Sequence, residues 1–245
     1  MIDIKMQYQA SIFVNAADLS PKPDNITSLM DIFRDKALIP GTFQQISPPN
    51  PAVQTRLRLS SSNNEWAIMF GMRRIDIEKN PTDPKGGNLG DLAGFCAEVS
   101  DFFERLLTKF KKRANRLALI TNFLLGEMTD ERLEMVYRQL FKTPKFYTNN
   151  APFEWNWRSA SKSPIKIQEL DDSLNVITII NRVRGQLILG LQLGDFDRLQ
   201  LSFDINTAPE NPEYRFDLSH IKSFYQKASE FHNTLCNEVL EYINE

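Results

Sequence analysis

Two histidines, His220 and His232, are the only imidazoles in the chain, and both lie in its last helical pattern, twelve positions apart. At 100° per residue they point about 120° apart, too far round a helix to share a metal ion. Cys96 and Cys236 stand at no metal-ligand spacing from them. A serine or cysteine nucleophile would need one of these imidazoles as its base, or an unusual lysine, and no G-x-S-x-G turn is present. The run Gly86-Gly87-Asn88-Leu89-Gly90 opens a helical pattern but lacks the lysine of a phosphate loop and the preceding parallel strand, so it reads as a loop and helix start. No catalytic residue, metal or cofactor is expected.

Acidic residues leave two readings. Asp76 and Glu78 share one face of a predicted strand and Lys79 follows, a set that a magnesium-dependent nuclease could use. The spacing departs from the usual alternation of acid and lysine in such enzymes. The related segment has Asp204 and Asn206 without a lysine, which favours capping of turn amides, since Asp and Asn side chains accept from turn N–H groups.

Lys109, Lys111, Lys112, Arg113 and Arg116 form the densest basic cluster, where a long helical pattern ends. Cations complement a helix C-terminus, and a solvated helix end is the favoured reading. Contacts to phosphate or to an acidic partner are the alternative. Phe153, Trp155 and Trp157 alternate along one strand, opposite Glu154, Asn156 and Arg158. Trp155 and Trp157 could stack nucleobases. Anchoring a core is the favoured role, because large rings contribute most burial.

The elements that must carry these residues follow from periodicity. Alternation at Tyr8, Ala10, Ile12 and Val14 predicts a first strand, followed by a helix through about Asp35 and a proline-punctuated loop. Runs around Val53–Leu59, Trp66–Phe70 and Arg73–Lys79 predict an antiparallel meander. From Leu89 to Lys112, apolar residues step by three or four along one face of a long helix. The second part repeats this order: a central strand at Arg116–Leu125, a helix begun by Thr129, a larger meander with one or two extra strands, and a last helix from about Leu218 to Ile243.

The repetition has a local signature. Asp76-Ile77-Glu78-Lys79-Asn80-Pro81-Thr82-Asp83-Pro84 recurs as Asp204-Ile205-Asn206-Thr207-Ala208-Pro209-Glu210-Asn211-Pro212, each copy leading from a strand into a long helix. At the same displacement Cys96 matches Phe224 and Phe103 matches Phe231. The predicted fold is α+β: two similar halves, residues 1–112 and 113–245, each strand, helix, antiparallel meander and long helix, with helices packed on antiparallel sheets. The short Arg113-Ala114-Asn115 link lets two sheets abut and the long helices lie side by side.

Composition adds the class. Of 245 residues, 42% are hydrophobic and 24% charged, ordinary for a folded chain, and 29 basic against 31 acidic side chains give a net charge of −2 that names no partner. No signal peptide and no membrane span are expected. Cys96 and Cys236 read as reduced, packed thiols, which suggests the cytoplasm.

Leu38-Ile39-Pro40-Gly41, Trp66-Ala67-Ile68-Met69-Phe70-Gly71, Arg116-Leu117-Ala118-Leu119 and Asp204-Ile205-Asn206-Thr207 resemble segments of a sporadically distributed, uncharacterised family of bacterial proteins of roughly this length. The resemblance implies a bacterial accessory protein and carries over no catalytic residue. The first expectation is a non-enzymatic interaction protein that binds itself or another protein, with no membrane contact. The alternative is a nucleic-acid-associated module that grips phosphates through the basic helix end, and a metal-dependent nuclease ranks below both.

Overall fold

The computed structural model describes residues 1–47, 50–189 and 192–245, without the side chains of residues 47–51 and 186–194. Among the described residues nine strands form one sheet, in the order β2-β3-β4-β5-β1-β6-β9-β8-β7, and all paired neighbours are antiparallel. They are β1 (Ile2–Phe13), β2 (Ile39–Ser47), β3 (Asn50–Ser60), β4 (Trp66–Phe70), β5 (Ile75–Lys79), β6 (Arg116–Leu125), β7 (Trp155–Ile167), β8 (Leu170–Leu189) and β9 (Gln192–Thr207). The middle is the β1–β6 pair, where Ala10 stands opposite Leu119. β5 flanks it on one side and β9 on the other.

Two long helices cover one face. In α2 (Leu92–Phe110) the Asp91 side chain caps the start by accepting from the Gly94 N–H, and Lys111 closes the end in a left-handed conformation. In α5 (Leu218–Asn244) Asp217 accepts from the Ser219 and His220 N–H groups. The helices pack side by side, with Phe103 stacked on Tyr225 at 5.7 Å between ring centres. The buried stripe of α2 meets the sheet through Phe95 against Tyr8 and Trp66, and that of α5 through His232 against Thr121. α1 (Pro23–Ile32) leads into Phe33, which packs on Phe102 of α2. α3 (Asp130–Leu140), capped by Thr129, packs on Trp155, and α4 (Lys145–Asn149) follows it.

The expected meanders differ in detail from those observed. The proline-punctuated segment after α1 is partly strand, because β2 pairs along β3 from Ile39 to Ser47. Four strands, β2 to β5, therefore stand in the first meander and three, β7 to β9, in the second, so the extra strand belongs to the first part and not the second. β7 continues past the aromatic alternation at Trp155 and Trp157 and runs through Pro164, which an edge strand tolerates since one flank needs no donor. The expected abutting sheets are one sheet, joined by the β1–β6 ladder across the link near Lys112. Phe103 is fully buried, whereas Phe231 is only partly covered, so these two positions are not equally placed.

Candidate functional site

Strand alternation sends every second side chain away from the helices. On β1 the residues Tyr8, Ala10 and Ile12 enter the core, and Gln7, Gln9, Ser11 and Phe13 project from the other face. Register extends this across the sheet. One row reads Asp76, Ser11, Ala118, Asn206, Asn175; the next reads Glu78, Gln9, Ile120, Asp204, Ile177; a third holds Gln7, Asn122, Ser202 and Ile179. Among the described residues α2 and α5 pack on the other face; in the first row Asp76, Ser11, Ala118 and Asn206 are buried, and the side chains of the other two rows are half-buried.

The rows are knitted by side-chain hydrogen bonds. Ser11 Oγ donates to Asp76 Oδ1 at 2.6 Å, and Gln9 Nε2 donates to Ser11 Oγ at 3.1 Å. Arg74 pairs with the other oxygen of Asp76 at 2.8 Å. Gln7 Nε2 donates to Asn80 Oδ1, Asn122 Nδ2 to Gln7 Oε1, and Ser202 Oγ to Asn122 Oδ1 at 2.6 Å. Asn206 donates to Asp204 and accepts from Arg116 Nη2 at 2.8 Å. Burial raises the proton affinity of Asp76 despite the bonds from Ser11, Arg74 and Gln9. Glu78 is raised likewise, by burial first and by the charge of Asp76 second. These carboxylates hold no turn: Asp76 accepts from side chains of neighbouring strands, not from turn amides, so the expected capping role gives way to a cross-strand one.

The basic cluster is divided. Lys112 is committed inward, donating to the Asn15 carbonyl and to Asp18 at 2.8 Å. Arg113 donates to the Arg215 carbonyl at 2.9 Å. Arg116 lies over the Phe13 ring, 4.7 Å from its centre, at the end of the helix-free face. Lys109 and Lys111 remain exposed at the helix end. Trp155 and Trp157 project on the helix side of β7. Trp155 is buried against Tyr137 and Phe141, and Trp157 is half-buried beside Ile180 and Leu235. Neither ring is offered on the polar face.

The two histidines are spent in packing. His220 sits with Nδ1 2.7 Å from Asp217 and Nε2 3.0 Å from Glu169, so both ring nitrogens face carboxylate oxygens. His232 is buried between Phe123 and Phe203, its Nε2 2.9 Å from Thr121 Oγ, and burial pulls it down to about 4. Cys96 and Cys236 are free and buried, and burial pushes their thiols up to about 12 and about 11. Among the described residues no three His, Cys, Asp or Glu side chains gather as metal ligands. The glycine run forms a turn in which Gly86, at φ +68°, leaves no room for a Cβ against the Lys5 carbonyl.

The helix-free face is the largest feature that sequence reading did not single out. Its signal was present as the polar alternates Gln7-Gln9-Ser11 and Ser202-Asp204-Asn206. No helix described is long and apolar enough to cross a membrane. No protein-family model, curated protein or solved structure matches this chain.

Proposed function

We propose that the chain is a non-enzymatic binding platform whose partner, another protein, docks on the helix-free face of the sheet. The observation that carries this reading is the set of amide, hydroxyl and carboxylate side chains that β5, β1, β6 and β9 present on this face, interrupted on β6 by Ala118 and Ile120 and continuous across β1, β6 and β9 through Gln7, Asn122 and Ser202. A half-buried array of this kind offers donors and acceptors already fixed by their neighbours, so docking costs little side-chain entropy. Asp76 and Glu78 on β5 and Asp204 on β9 flank it on both sides and disfavour phosphates, while three of the five clustered cations are engaged within the fold. A protein partner of mixed polarity therefore has more support than a nucleic acid.

We further infer that the two halves descend from one duplicated unit. What supports this is the register. A two-fold axis through the Ala10–Leu119 pair would exchange β1 with β6 and β5 with β9, carrying Asp76 onto Asp204 and Glu78 onto Asn206. Pro81 and Pro209 then follow corresponding strands, and α2 corresponds to α5.

The platform reading is tested by placing two arginines, Gln9→Arg with Asn122→Arg, in the middle of the face and comparing proteins retained by this bait and by wild type, quantified by mass spectrometry. Specific partners should be lost with the face variant and kept by a variant altered only at the outer edge of β2. Retention of the same proteins by both baits would sink the reading.

A further inference from the structure

The two ends of the sheet are chemically unlike. β7 is an edge thirteen residues long that carries Arg158, Lys162 and Lys166, with Pro164 among them and no acidic residue. These are the devices that keep an exposed edge from pairing with another chain. β2, the opposite edge, reads Ile39-Pro40-Gly41-Thr42-Phe43-Gln44-Gln45-Ile46-Ser47 and contains no charged side chain. Among the described residues its backbone pairs only with β3, so the N–H and C=O groups on its outer flank face solvent. Pro40 removes one donor at the start of the strand, and Thr42 to Ile46 follow with neither proline nor charge. Ile46 and its neighbour Val53 on β3 are a directly opposed apolar pair left 65% and 55% exposed.

We propose that β2 is the seat of self-association, pairing antiparallel with β2 of a second copy of this chain. Charge selects this occupant. Two β7 edges would bring like charges together, which is unfavourable in directly opposed strands, whereas two β2 edges meet with no charge at all. A two-fold axis at Gln44 places Thr42 opposite Ile46 of the second copy and repeats the same contact on the other side, the self-complementary arrangement of a closed dimer. The axis stands perpendicular to the sheet, so one sheet continues through both copies and their helices stay on one side. The polar face of each copy remains open. This inference goes beyond the platform reading and does not depend on it, because it uses an edge and not the face.

Sedimentation velocity across a concentration series tests it. The wild type should run at twice the 28.3 kDa chain mass, and Thr42→Lys with Gln44→Lys should dissociate at least about tenfold more readily, since juxtaposed like charges cost several kcal/mol. A wild type at the single-chain mass throughout, or a dimer indifferent to the two lysines, overturns the proposal. Gln44→Cys gives an independent reading. With oxidised glutathione as the oxidant it should form a disulfide-linked dimer across the axis, and Ser161→Cys on β7 should not; the reverse pattern also overturns it. The face variants Gln9→Arg and Asn122→Arg should leave the dimer intact, so either reading can fail alone.

Discussion

Mild acid should destabilise this protein through one histidine. His232 lies in α5 against the middle of the sheet, 3% exposed, with Phe123 and Phe203 beside its ring and only Thr121 and Asn233 as polar partners. Charging an imidazole there removes an ion from water without a counter-charge, so burial holds it at about 4 against an ordinary 6.5. The folded state binds this proton less well than the unfolded chain. The stabilising contribution is therefore complete above pH 6.5 and is lost as pH falls towards 4. Each pH unit of difference corresponds to about 1.36 kcal/mol, so about 2 kcal/mol is gone at pH 5 and about 3 kcal/mol at pH 4. Urea unfolding of wild type and His232→Gln at pH 7 and pH 5 isolates the effect, since contributions from all other titratable groups cancel in the difference. The penalty of the substitution should be about 2 kcal/mol larger at pH 7 than at pH 5. With only two histidines in the chain, proton NMR offers a direct check. A His232 ring signal that titrates near 6.5, or a substitution penalty that does not change with pH, would refute the argument.

Three further outcomes follow from packing. Asp217→Ala removes an acceptor shared by the Ser219 and His220 N–H groups and by the His220 ring, and should cost about 1–2 kcal/mol in thermal or urea unfolding. The Asp217 carboxyl feels burial upward, but bonds from Ser219 and His220 hold it at about 2, so this contribution should persist until pH falls below the ordinary carboxylate value of 3.8 and fade towards 2. Arg56, 4% exposed, donates to the carbonyls of Ala16, Ala17, Leu19, Phe70 and Gly71, tying the segment after β1 to the β3–β4 region. Arg56→Met should cost about 3 kcal/mol or more by stranding those acceptors, and Arg56→Lys should not restore the stability, because an ammonium lacks the planar fork; differential scanning calorimetry reads both. Cys96 and Cys236 should resist a thiol reagent in the native protein and react fully in denaturant, because burial keeps both protonated; labelling of either in native buffer would contradict the packing described.

Local pattern carried the elements because their causes are local. Stepping by three or four from Leu92 to Leu107 makes the face of α2, Asp91 and Asp217 cap helix starts with their own side chains, apolar alternation marks β1, and a run apolar on both faces marks the central β6. The inert placement of both cysteines was legible for the same reason, as both sit in helical stripes. β2 was not legible. Ile39 to Ser47 has little apolar alternation, and it becomes a strand because β3 presents an unpaired ladder beside it. The run of β7 through Pro164 was not legible either, since nothing in the sequence says that this proline lies on an edge, where a missing donor costs nothing.

Register and layering decided everything that bears on function. Asp76, Ser11, Gln9, Asn122 and Ser202 come from four strands distant in the chain, and only strand order makes them neighbours. Which side of the sheet α2 and α5 occupy determines that this polar set lies on the face away from them while Trp155 and Trp157 are turned towards the helices. Side-chain chemistry is written along the chain, but adjacency between strands is a non-local property. It depends on which ladders close and which face the helices bury, and those are settled by the packing of the whole molecule.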